Sequence, residues 1–218
     1  MFISAKHAYG ASLEAADGRA GILYDILFDD QFWRVRHLVV STDRWFHGHQ
    51  VLVDPTIVEN TDWPRHRLDV RSTKEVVANS PSIDSDLPVG PNTGPDAARL
   101  LVWEAYWAGI PEASTDASDN PHLRSTKVLS GLHVHCADGM LGHIDDFLID
   151  DETWRIRYLV VETRNWWPGK RVLVETGWIE SIHWEDGQVF LALSREEVLD
   201  RPAFEGQTPP EPSVVESA

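Results

Sequence analysis

A chain of 218 residues, 42% of them hydrophobic and ten of them tryptophan, carries enough apolar side chain for a packed core, which excludes disorder of the chain as a whole. Its 35 acidic against 19 basic residues give a formal charge of -16, a surface that repels phosphates and anionic headgroups, so direct nucleic-acid binding and peripheral membrane contact are disfavoured. The single cysteine, Cys136, excludes an intramolecular disulfide framework and a CxxC site and fits a reducing, cytoplasmic compartment. No run approaches the roughly 18–20 apolar residues of a membrane span, and Met1 to Leu13 has no basic stretch leading into an apolar one, so neither an anchor nor a leader is expected.

The chain repeats itself. A shift of 121 residues, which carries Ser4 to Ser125, aligns residues 4–81 with residues 125–202 without a gap, and about a third of the pairs are identical. In chain order, Asp17–Gly18 and Asp138–Gly139 mark tight turns, because glycine takes positive φ at little steric cost. The β-rich run Gly21 to Asp29 then passes through a polar loop into Trp33 to Thr42, which predicts a second hairpin. If that loop takes the four residues 29–32, Phe28 faces Trp33, and Asp25 pairs across strands with Arg36 as Asp146 does with Arg157. Strict alternation fails between Leu23 and Phe28, and a β-bulge near Asp25 would explain the change of face.

A third hairpin turns at His47–Gly48–His49 and at Pro168–Gly169–Lys170, leading into Val51–Val53 and Val172–Val174. Short strands follow around Ile57–Thr61 and Leu68–Val70, with counterparts near Trp178–Ile182 and Val189–Leu193. Six short strands per copy suggest a small closed barrel. Each copy ends on a helical turn, with Thr73 and Ser194 placed as caps before acidic residues and with Pro81 and Pro202 as stops.

Several elements occur in combination in both copies. A basic residue stands before a glycine (Lys6 and Gly10; Lys127 and Gly131), then comes the DG turn, then G-x-x-x-D-x-L-x-D-D over Gly21 to Asp30 and Gly142 to Asp151, then R-x-L-V-V over Arg36 to Val40 and Arg157 to Val161. This set resembles the PRC-barrel family, found in the cytoplasmic part of the photosynthetic reaction-centre H subunit and in the C-terminal half of a ribosome maturation factor. The resemblance covers both repeats and leaves the linker and tail unmatched. It implies a mainly β protein made of two tandem small antiparallel β-barrels, used as an adaptor or assembly surface, and supplies no family-wide catalytic residue. The expected organisation is a first barrel over 1–81, a linker over 82–124, a second barrel over 125–204 and a disordered tail over 205–218.

Within the linker, residues 80–95 have the proline- and serine-rich composition of a loop. Residues 96–109 predict an amphipathic helix of about three to four turns with Leu100, Trp103 and Trp107 on its apolar face. That face must dock, against the barrels, in a homodimer or at a membrane interface, the last disfavoured by the lack of a lysine-rich polar face.

Candidate chemistry is sparse. His47 with His49, in a turn, and His133 with His135, on a strand where alternate residues share a face, could each grip an ion, yet neither pair recurs in the other copy. They are weak metal candidates beside the ordinary reading as surface histidines. Cys136 and His135 are strand neighbours that point to opposite faces, which does not make a nucleophile with its base. The aspartate pairs 29–30 and 150–151 and the pair 145–146 could hold Mg²⁺, but most lie in turns, where aspartate is favoured for bonding its own backbone. No phosphate-cradling loop, nucleophile elbow or dinucleotide fingerprint is present. No catalytic residue and no cofactor are assigned, and no enzyme is expected.

Trp45–Phe46 and Trp166–Trp167 place an aromatic pair at the same hairpin in both copies and, with Trp103 and Trp107, are the candidate partner-binding residues. The expected function is a non-enzymatic module that binds another protein or itself. The rivals are a metal- or small-ligand-binding protein using the histidines, and a ribosome-associated assembly factor contacting a ribosomal protein.

Overall fold

Gly18 and Gly139, at φ 117° and 136°, sit in turns that only glycine enters without strain, and each opens the longest strand of its repeat. The computed structural model describes residues 1–42, 49–89, 121–163, 170–201 and 203–206. Within them the protein is mainly β. The first repeat runs β1 (Phe2–Ser4), β2 (Ser12–Ala15), β3 (Gly18–Asp29), β4 (Arg34–Ser41), β5 (Gln50–Val53), β6 (Val58–Asp62) and β7 (Arg67–Val70). The second runs β8 (Leu123–Ser125), β9 (His133–Cys136), β10 (Gly139–Asp150), β11 (Arg155–Thr163), β12 (Arg171–Glu175), β13 (Ile179–His183) and β14 (Gln188–Leu191). Short helices follow β1 and β7 at Ala5–Ala8 and Lys74–Ala78, and follow β8 and β14 at Thr126–Leu129 and Arg195–Leu199.

Each repeat has the same hydrogen-bonded order, β6-β7-β2-β3-β4-β5 and β13-β14-β9-β10-β11-β12, antiparallel except for the parallel pairs β2–β7 and β9–β14. The six expected strands per copy are therefore present. The ladder is an open path, with β6 and β13 at its ends. The ending helices are capped as read, by Thr73 accepting from the Val76 N–H and by Ser194 in a capping box with Glu197. The turn aspartates add a second cap: Asp17 accepts from the Lys74 N–H and Asp138 from the Arg195 N–H, both at 2.8 Å.

The two repeats are not self-contained. The leading strand of each copy pairs with the long strand of the other: β1 lies antiparallel to β10 (Ile3 opposite Ile149), and β8 to β3 (Arg124 opposite Phe28). Where β4 meets β11, the Val35 N–H donates to the Trp154 carbonyl and the Ile156 N–H to the Trp33 carbonyl, both at 2.8 Å, a reciprocal pair that expresses a pseudo-two-fold relation. Trp33 and Trp154 each stand at φ 53°, a left-handed conformation that costs a bulky residue about 1–3 kcal/mol. The apolar core is likewise continuous. Phe28 of one copy and Phe147 of the other are fully buried with ring centroids 5.8 Å apart, in one cluster that runs from Ile3 to Val198.

Two satellite clusters cover the opposite faces of the long strands. Leu27, Val39 and Leu52 are closed over by Ile83, Leu87 and Leu123, and Leu148, Tyr158 and Val160 by Phe2 and Phe204. The start of the linker, read from composition as a loop without a core, is thus docked on the first repeat, with a 3-10 turn at Ile83–Ser85 and a bridge from Ser82 to Val51. The helix expected over 96–109 and the tail beyond 206 lie outside the described residues.

Because ladder and core both cross between the repeats, the covalent link is not what holds them together. Cleavage of the full chain at a protease site placed within residues 90–120 should leave two fragments that co-elute in native buffer and part only in denaturant. Elution as two independent fragments would contradict the exchanged arrangement.

Candidate functional site

The polar groups of the molecule converge on the seam where the leading strands cross over. Both long strands bulge, with register shifts between Leu23 and Asp25 and between Ile144 and Asp146, as the broken alternation implied. The bulge turns each aspartate into the interior instead of toward an arginine. The expected pairs Asp25–Arg36 and Asp146–Arg157 do not form: Asp25 stands opposite Val39 and Asp146 opposite Val160. The reason is the turn, where Trp33 adopts positive φ, so that Phe28 faces Val35, and a second shift between Leu27 and Phe28 moves the register further.

Asp25 is fully buried and its donors come largely from the other repeat. Ser125 Oγ donates to Oδ2 at 2.6 Å, Thr126 Oγ1 lies 3.1 Å from Oδ1, and the Ile26 N–H donates to Oδ1 at 2.7 Å. Ser125 also caps its helix by accepting from the Val128 N–H at 3.1 Å, while Thr126 accepts from Tyr9 Oη at 2.9 Å. Across the pseudo-two-fold, Asp146 accepts from Ser4 Oγ, from the Lys6 N–H at 3.1 Å and from the Phe147 N–H at 2.8 Å. Burial pushes the Asp146 carboxyl up, and these hydrogen bonds oppose it. Within each repeat, Gly21 and Gly142 let neighbouring strands approach, since a Cβ there would run into the Ser41 or the Glu162 carbonyl of the adjacent strand.

The remaining motif aspartates are also engaged. Asp29 accepts from the Gln31 and Phe32 N–H groups, and Asp150 from those of Glu152 and Thr153, the backbone role expected of aspartate in a turn. Asp30 grips the leading strand of the other copy through Arg124 Nε at 2.7 Å and His122 Nδ1 at 2.9 Å. Asp151 holds Trp63 Nε1 at 2.7 Å, Thr61 Oγ1 at 2.9 Å and the Met1 ammonium at 2.6 Å. A shallow groove of about 480 Å³ opens there, lined by Met1, Glu59, Thr61, Asp151 and Glu152 among others, and the Met1 ammonium already occupies its acidic side.

The other predicted residues separate. Trp45, Phe46, His47, Trp103, Trp107, Trp166 and Trp167 lie outside the described residues. His133 and His135 share the solvent face of β9 as expected, but His135 stacks on Phe190 with centroids 5.2 Å apart. Among the described residues, no three His, Cys, Asp or Glu side chains are gathered to hold a metal ion. Cys136 is buried, and burial pushes its thiol up to about 11. Among the described residues no helix is long and apolar enough to cross a membrane. No protein-family model matches the chain, and no curated protein matches its sequence.

Two outcomes follow from this geometry. Asp25→Ala, which leaves the Ser125 hydroxyl and the Ile26 N–H without their acceptor, should cost roughly 3–5 kcal/mol in urea unfolding, and Ser125→Ala roughly 1–3 kcal/mol. Wild-type stability in both variants would show that the seam carries none of it. Cys136 should react with a disulfide reagent at about pH 8 more than about a hundredfold more slowly than a free cysteine, followed by thiolate release. A rate near that of the free thiol would contradict its burial.

Proposed function

We propose that this chain is a non-enzymatic assembly module of PRC-barrel type, two barrel-like units fused into one body, which binds a protein partner or a second copy through the aromatic pairs Trp45–Phe46 and Trp166–Trp167. One observation carries the reading. The motif residues that a catalytic hypothesis would need, Asp25, Asp29 and Asp30 with their counterparts Asp146, Asp150 and Asp151, are already engaged in holding turns and the seam.

What the duplication then presents twice is the β4–β5 and β11–β12 hairpin. Both are closed at the base by the same bond, Thr42 Oγ1 to the His49 carbonyl at 2.9 Å and Thr163 Oγ1 to the Lys170 carbonyl at 3.1 Å. Between these closures lie the aromatic pairs Trp45–Phe46 and Trp166–Trp167. Aromatic side chains are the usual anchors of protein interfaces, and two such pairs on one chain gain affinity by acting together. The charge of -16 favours a basic protein over a nucleic acid, a ribosomal protein being one such partner.

Affinity capture with the full chain, run beside the variant Trp45→Ala/Trp166→Ala, tests this reading together with the mass in solution. The expected result is a protein, or a second copy, retained by the wild type and lost by the double variant while thermal unfolding stays within a few degrees. A monomer at every concentration, with the same proteins retained by both, would overturn it.

A further inference from the structure

One chemical difference between the two repeats lies on the outer face of the second. Cross-strand register places His183, Gln188, His133, His143, Glu162 and Arg171 in one row over six adjacent strands. The corresponding row of the first repeat has Ser12, Ile22 and Ser41 where the second has His133, His143 and Glu162. The seam is common to both copies, so this difference is not required by the fold.

We propose that His133, His143 and Glu162 form a site for one borderline divalent transition ion, zinc being the type case. His133 and His143 are directly opposed on antiparallel strands. The His133 N–H is turned away to the Gly187 carbonyl and the Ile144 N–H bonds to the Leu132 carbonyl, which makes 133/143 a non-hydrogen-bonded pair, the closer of the two antiparallel spacings at about 4.5 Å between Cα atoms. Glu162 stands opposite His143 on the other side, and its Oε2 lies 3.6 Å from His143 Nε2. Donors in a tetrahedral site with bonds near 2.0–2.1 Å are about 3.3 Å apart, so this pair already stands close to chelating distance.

The third donor completes the set by rotation of an exposed side chain. His133 is exposed and makes no side-chain hydrogen bond or ring contact, so its imidazole is free to turn toward His143. The three side chains are not gathered around one point, and closure of the chelate is what the ion itself would supply. Two imidazoles and one carboxylate suit zinc, copper or nickel and not magnesium or calcium, which take oxygen ligands. His135 and His183 stay outside the set because both pack on Phe190, at 5.2 and 4.7 Å between centroids.

The test is calorimetric titration of zinc chloride into full-length protein purified without an affinity tag and stripped with chelator. One ion per chain is expected. His133→Ala and His143→Ala should each weaken binding at least about tenfold, and Glu162→Gln less, while His135→Ala and His183→Ala leave it within twofold, with circular dichroism unchanged throughout. Absence of saturable binding overturns the proposal. So does binding undiminished in His133→Ala and His143→Ala, which would put the ion elsewhere, or an equal loss in His135→Ala.

Discussion

A carboxylate buried without partners costs several kcal/mol, and a β-bulge that turns one inward is tolerable only where donors wait for it. At Asp25 those donors are the hydroxyls of Ser125 and Thr126, and at Asp146 the hydroxyl of Ser4 and the N–H of Lys6, each supplied by the opposite repeat. Neither copy can satisfy its own aspartate from its own leading strand. The exchange of β1 and β8 is therefore a condition for burying these residues. It draws the rest with it: the leading strand brings Ile3 or Leu123 into the core, and Ser4 or Ser125 serves at once as helix cap and as donor to the bulge.

The two seams share geometry and differ in chemistry. Beside Asp146, Lys6 forms an ion pair with Asp145, which Arg171 also reaches at 3.1 Å. Beside Asp25, the position of Asp145 is taken by Tyr24, and Lys127 instead lies over the Tyr24 ring, 3.4 Å from its centroid, and over Tyr9 at 4.9 Å. Burial pulls the Lys127 amine down while the field of Asp25 holds it up. A similar substitution occurs one turn away. Ile3 is a core residue, whereas its counterpart Arg124 is equally buried but paired with Asp30 and stacked on Trp184 at 4.2 Å. Drift between the copies has changed the contacts and kept the seam.

The sequence made local structure legible and long-range partnership much less so. The DG turns, the terminal caps, the six strands and the bulge at Asp25 all follow from short patterns whose physical cause lies within a few residues. The register of the second hairpin does not, because nothing in its polar loop announces that Trp33 and Trp154 take positive φ. The partner of Asp25 lies 100 residues away, beyond any periodicity. Two signals did point to it. Ser4, Asp25, Ser125 and Asp146 are the same residues in both copies, and the unbroken apolar run Ile26–Leu27–Phe28 requires cover on both faces of β3, which a single small ring does not supply. The docking of Ile83 and Leu87 was hidden by the proline and serine around them, since composition averages over the two residues that matter. Of the candidate residues, the pair on β9 was read on the right face, but its nearest neighbour, His143, belongs to the next strand and is invisible at i, i+2 spacing.

The G-x-x-x-D-x-L-x-D-D motif repeated in both copies is thus spent on architecture: the glycine lets strands of its own repeat approach, the first aspartate binds the other repeat, and the last two fix the turn and the incoming strand. Such a set reports on architecture, and it would be kept by any protein of this build whatever its task. Residues that answer to function must then be sought where the copies part company on exposed surface, because there neither the core nor the seam constrains them. The outer row of β9, β10 and β11 is such a place: its first-repeat counterparts are serine and isoleucine, residues that satisfy the same sheet without offering an imidazole or a carboxylate. A histidine pair opposed across β9 and β10 in one copy alone is what a fold with a finished structural plan can acquire without disturbing it.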